Sequence, residues 1–103
     1  MARIIRISKD EAKRRLGDVP DEKRFWCCDG RYIKNLGELG KALGDMGDEI
    51  FHRHSGEGRS DFSNWVRDVI GDNKLAGDLG KARSRVRASQ AVADRISFLE
   101  SKL

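Results

Sequence analysis

The chain has 103 residues, 37% of them charged, with a formal net charge of +4 and a mean hydropathy of −0.66. That length fits one domain whose core can form without disulfides or a structural metal, and no apolar run approaches the roughly 18 residues of a membrane-spanning helix. Met1-Ala2-Arg3-Ile4-Ile5-Arg6-Ile7 lacks the long apolar region of a signal peptide. The two cysteines, Cys27 and Cys28, are neighbours. A disulfide between adjacent residues is strained, so they read as reduced thiols, one inward and one outward, in a cytoplasmic protein.

In chain order, Arg3–Ile7 is β-branched and short enough for a strand. Ser8 and Glu11 form a capping-box pattern ahead of a helix that ends at Leu16, with Gly17 as its stop. Its apolar content, Ala12 and Leu16, is thin, so the helix is expected at the periphery. Residues 17–22 form a loop holding the only proline. Together these segments make an N-terminal arm, residues 1–24, separate from a main body at 25–103. Phe25 to Ile33 reads as a β-hairpin, with Asp29-Gly30 supplying a type I′ turn. Asn35 caps a helix whose buried stripe is Leu36, Leu39, Leu43 and Met46, although Gly37, Gly40 and Gly44 weaken it. Asp48 is expected to cap a short helix to His54, and residues 55–60 form a polar, glycine-rich loop.

The strongest local signal follows. Phe62, Trp65, Val66 and Val69 share one helix face, started by Ser60 or Asp61 and stopped by Gly71. Asp72 then caps a helix carrying Leu75, Ala76 and Leu79, which makes a helix-turn-helix corner around one tryptophan. Ser84 caps the last helix, whose stripe is Ala88, Ala91, Val92, Ile96, Leu99 and Leu103. The expected class is mostly α (α+β): five to six helices with a short N-terminal β-hairpin. The terminal Ser101-Lys102-Leu103 matches a peroxisomal import tripeptide, but Leu103 is accounted for as the end of the apolar stripe.

The run Asp29-Gly30-Arg31, Lys34-Asn35-Leu36, Glu38-Leu39, Ala42-Leu43, Met46, Asp48-Glu49, Phe51, His54, Asp61-Phe62, Asn64 to Val69, Gly71-Asp72 and Leu75-Ala76 resembles a small, mainly archaeal prokaryotic domain family of unknown function. The resemblance covers about residues 25–100. The chain departs from it at Gly37, Gly40, Gly44 and Gly77, where Glu, Ala or Lys is expected. It implies a fold and a prokaryotic source, and carries no catalytic residue with it.

Charge is distributed in three blocks: +4 over residues 1–34, −4 over 35–72 and +4 over 73–103. The basic ends offer a nucleic-acid reading through Lys81, Arg83, Arg85 and Arg87, with Arg14 and Arg15 in a second cluster. These residues alternate around a helix instead of lining one face, and Asp78 and Asp94 flank the first group. A zinc site from Cys27, Cys28, His52 and His54 lacks the usual ligand spacing. An acid–base pair, His54 with Asp61, is conceivable, but Asp61 and Asp72 are accounted for as caps. No nucleophile elbow, phosphate loop or dinucleotide fingerprint occurs. The expectation is therefore a non-enzymatic protein-binding or assembly module without cofactor, metal or small-molecule substrate. Its candidate contact residues are Trp26, Arg31, Tyr32 and His54 at the hairpin, and Ile96 and Leu99 on the last helix. The partner is another protein or a second copy, with nucleic acid as the alternative.

Overall fold

The structure, a computed structural model, describes residues 7–56 and 58–103. The expected strand at Arg3–Ile7 lies almost entirely outside the described residues. Six α-helices and two small antiparallel hairpins follow one another: α1 (Lys9–Leu16), β1 (Phe25–Trp26), β2 (Tyr32–Ile33), α2 (Leu36–Asp45), α3 (Asp48–His54), β3 (Ser55–Gly56), β4 (Arg59–Ser60), α4 (Asp61–Trp65), α5 (Asn73–Lys81) and α6 (Arg85–Glu100). None of these helices is long and apolar enough to cross a membrane.

Most helix starts are set by side chains at the residue before the first turn. Ser8, Asn35, Ser60, Asp72 and Ser84 each accept a hydrogen bond from the amide three residues on. The Glu38 carboxylate reaches back to the Lys34 amide, closing a box around the start of α2. α3 differs from expectation. Gly47, not Asp48, occupies its capping position, and the Asp48 carboxylate accepts from Arg85 Nε instead.

α2 and α6 pack together through Leu36, Leu39 and Leu43 on one side and Ala88, Val92 and Leu99 on the other, all of them buried. A Cβ at Gly40 would sit 3.3 Å from Val92 Cγ1, so the glycine permits the close approach of these two helices. α1 lies against α6 and α2 with Ala12 fully buried. Its Arg14 Nη2 donates to the Ile70 carbonyl, and its Arg15 Nη1 to Asp72.

The tryptophan corner departs from a regular helix. After Trp65 the chain widens into one π turn, Val66–Ile70. The Gly71 amide closes it onto the Val66 carbonyl at 2.7 Å, five residues back. The extra residue rotates the apolar face, so Ile70 is buried where Val69 was expected, and Val69 is only half-buried. Gly71, with φ +82°, reverses the chain into α5.

Both hairpins revise the reading of the loops. In the first, Phe25 pairs with Ile33 and Trp26 with Tyr32. The Gly30 amide returns to the Cys27 carbonyl, and the Cys27 amide to the Arg31 carbonyl. Within this hairpin only Gly30 has positive φ. A type I′ turn needs it at two residues, so the loop is the three-residue form with a left-handed glycine at its end. The second hairpin, β3–β4, replaces the loop expected at residues 55–60, with Ser55 opposite Ser60 and Gly56 opposite Arg59. β structure is thus present in mid-chain as well as near the N-terminus. At the other end α6 stops at Glu100, and Leu103 is exposed instead of continuing the buried stripe.

Candidate functional site

The first hairpin divides its aromatic residues between core and surface by strand alternation. Phe25 points inward, stacks on Phe62 at 5.1 Å and meets Trp65 edge-on at 6.0 Å. Trp26 and Tyr32, paired across the strands, point outward and are 54% and 55% exposed. The Arg24 guanidinium lies 4.6 Å from the Tyr32 ring centre, a cation–π contact that holds the tyrosine face. Arg31 Nε is paired with Asp29 Oδ2 at 2.9 Å. Beside Tyr32 a shallow groove of about 420 Å³ runs towards α2, lined by Arg31, Glu38, Lys41 and Asp45 among others.

His54 fixes this hairpin from beneath. It is buried, edge-on to Phe25 at 5.2 Å and tilted on Phe62 at 5.5 Å. Its Nε2 accepts the Cys28 amide at 3.0 Å. An amide can only donate, so in the neutral ring Nδ1 carries the proton and donates to Asp61 Oδ2 at 3.0 Å. Both ring nitrogens are engaged, one to the hairpin and one to the start of α4. His54 is therefore a buried link between the hairpin and α4, not an exposed contact residue. Cys27 is buried and Cys28 half-buried, both as free thiols, and burial pushes the Cys27 thiol up.

The last helix gives a mixed result. Leu99 is closed inside the core and Ile96 is only half-buried. The outer face instead presents Val86 and Phe98, and Phe98 is flanked by the cations of Arg95 and Lys102 at 4.8 and 4.9 Å.

The basic residues separate into engaged and unengaged sets. Arg14 and Arg15 both bind Glu11, and Arg15 also binds Asp72. Arg85 donates to the Leu43 carbonyl at the end of α2 and to Asp48. Among the described residues Lys81, Arg83 and Arg87 have no ion-pair partner. Lys81 and Arg83 stand at the rim of a second cleft, of about 730 Å³, which also includes His52, Gly56 and Gly58. Sequence reasoning missed this cleft because α3, the second hairpin and the end of α5 come together there only in the folded chain. The one available signal was Gly58 between the serines that pair across it.

Asp72 is the other feature invisible in the linear pattern beyond its cap. It is fully buried, and Arg15 and Arg95 both reach its Oδ2. Burial pushes its carboxyl up, but the Leu75 amide and the two guanidinium groups outweigh that and hold it below the ordinary carboxylate range. No group of three or more metal-ligating side chains gathers among the described residues.

Compared with known proteins, the chain matches no family model, no curated protein and no solved structure.

Proposed function

We propose that this domain is a non-enzymatic interaction module that receives a protein partner on the outward face of the first hairpin. The carrying observation is the cross-strand pair Trp26–Tyr32, more than half exposed on a hairpin whose inner face is locked into the core. Large aromatic side chains presented by a fixed backbone lose little conformational freedom on binding, and Trp, Tyr and Arg dominate the energetics of interfaces. Arg24 and the groove beside Tyr32 extend the surface towards the roughly 800 Å² per partner of a stable interface. The free thiols of Cys27 and Cys28 fit a reducing compartment such as the cytoplasm.

Nucleic-acid binding through the basic ends has less support, because Arg14, Arg15 and Arg85 are committed to contacts within the domain. The test is capture from native lysate by the purified chain and by Trp26→Ala/Tyr32→Ala, with and without nuclease, at low and high salt. A partner that survives nuclease and salt and is lost with the double variant supports this reading. A partner retained by the double variant, or recovery of nucleic acid alone, overturns it.

A further inference from the structure

The turn of the first hairpin hangs on one side chain. The Cys27 amide bonds the Arg31 carbonyl, the Gly30 amide the Cys27 carbonyl and the Arg31 amide the Asp29 carboxylate, all inside the turn. Among the described residues, the one hydrogen bond from this turn to the rest of the domain runs from the Cys28 amide to His54 Nε2 at 3.0 Å. The strands beside it have two residues each. Phe25, Cys27 and Ile33 are buried and anchor their own positions, which leaves residues 28–31 to that single bond.

We propose that His54 is a proton-operated latch on this turn. The neutral ring holds residues 28–31 against α3, and the imidazolium releases them while keeping Asp61. The warrant is the direction of the two hydrogen bonds. An amide can only donate, so Nε2 cannot hold a proton and accept the Cys28 amide at once. Nδ1 donates to Asp61 Oδ2 in both states, so the ring stays tied to α4. Each proton taken up at Nε2 therefore costs the turn its tie, and protons favour the released form.

The charged groups around His54 leave histidine as the one that changes. α4 supplies Asp61, and Arg59 of β4 lies 3.9 Å from its other oxygen. The turn supplies the Cys27 and Cys28 thiols and the Asp29–Arg31 pair. α3 itself carries His52 and the Arg53–Glu49 pair. Glu57, between β3 and β4, lies outside the described residues. From about pH 7.5 to about pH 5, ordinary carboxylates and guanidinium groups keep their charge, and burial pushes the Cys27 thiol further above that window. Release loosens the end of the hairpin that spaces Trp26 and Tyr32, so a partner on that face is held less firmly in mild acid. This consequence rests on the reading of the aromatic face proposed above; the latch does not.

The test follows the full chain alone by nuclear magnetic resonance from about pH 7.5 to about pH 5. Imidazole nitrogen shifts give the tautomer and protonation of His54, and amide exchange, corrected for its intrinsic pH dependence, gives the protection of Cys28. Nε2 is expected to be unprotonated at the upper end. Cys28 protection should fall about threefold to tenfold with the midpoint of the His54 ring, the range of one net hydrogen bond. The Gly30 and Arg31 amides should shift with it, and those of Phe62 and Ser63 should not. His54→Phe should lower Cys28 protection at every pH and abolish the transition. His52→Gln should leave the transition in place, and so should Glu57→Gln, whatever its effect on the midpoint. A proton on Nε2 at the upper end, a His54 ring that stays neutral down to about pH 5, or Cys28 protection that holds while the ring titrates each overturns the latch. So does loss of the transition in His52→Gln. No partner enters these readouts, so failure of the latch and failure of the aromatic-face reading are told apart.

Discussion

Arg95 Nε, midway along the last helix, donates to Asp72 Oδ2 at 2.9 Å, and Asp72 is wholly closed to solvent. Arg15 from the first helix reaches the same oxygen at 3.0 Å, while Oδ1 caps α5. One carboxylate thus ties together α1, the tryptophan corner, α5 and α6. Removing it leaves two guanidinium groups facing each other. Asp72→Ala is expected to destabilise the fold by about 3 kcal/mol or more, the range for breaking a buried pair. Lys74→Ala, which removes an exposed pair with Asp78, should cost no more than about 0.5 kcal/mol. Urea denaturation of both variants checks this.

Acid should unfold the domain through the same region. Hydrogen bonds from Arg14 and then Arg15 bring Glu11 from 4.5 down to about 2, and Asp72 also lies below its ordinary value. The unfolded chain therefore binds protons at higher pH than the folded one. The stabilisation is complete above the ordinary carboxylate range and is lost as pH falls from about 4.5 towards 2. Glu11→Gln should flatten the stability profile in that window and leave the neutral-pH slope unchanged. Melting temperatures measured from pH 7 down to pH 2 give the readout.

The His54 staple makes its own demand. His54→Phe keeps a ring against Phe25 and Phe62 but leaves the Cys28 amide and Asp61 without their partner. A loss of about 0.5–1.5 kcal/mol is expected, the net contribution of a hydrogen bond at part-buried groups. Asp61→Asn, which retains an acceptor for Nδ1–H, should cost less. Equal effects in chemical denaturation would contradict the staple.

The two tryptophans should separate cleanly. Trp65 is buried and its Nε1 donates to the Lys23 carbonyl at 2.8 Å. Trp65→Ala is expected to cost about 3–5 kcal/mol, and Trp26→Ala to stay within about 0.5 kcal/mol, as for other surface changes. Thermal melts of the two variants, monitored by far-ultraviolet circular dichroism, test the division between core anchor and contact residue.

Two helical glycines mark opposite outcomes. A Cβ at Gly77 meets nothing within 4 Å, so Gly77→Ala should stabilise by about 0.5–1 kcal/mol through helix propensity alone. Gly40→Ala presses on Val92 at 3.3 Å and should forfeit that gain. Calorimetry should show a higher melting temperature for the first variant only.

Local chemistry in the sequence already determines where most helices begin. Ser8, Asn35, Ser60, Asp72 and Ser84 are legible because a cap is a hydrogen bond between residues three apart, closed without help from the rest of the chain. The outward placement of one hairpin face was legible for the same reason, since alternation along a strand is a local property. Tertiary packing decided the rest. Ile70 replaces Val69 in the core because a π turn, closed by Gly71, shifts the buried face by one residue. Ser55 pairs with Ser60 where the flanking helices α3 and α4 are joined by Phe51 stacking on Phe62 and by His54 donating to Asp61. Of the basic residues flagged by charge alone, Arg14, Arg15 and Arg85 are drawn into the domain by Ile70, Glu11, Asp72, Leu43 and Asp48. Lys81 and Arg83 are left at a cleft. Those differences depend on partners up to 57 residues away, and no linear spacing encodes a contact that exists only once the helices have packed.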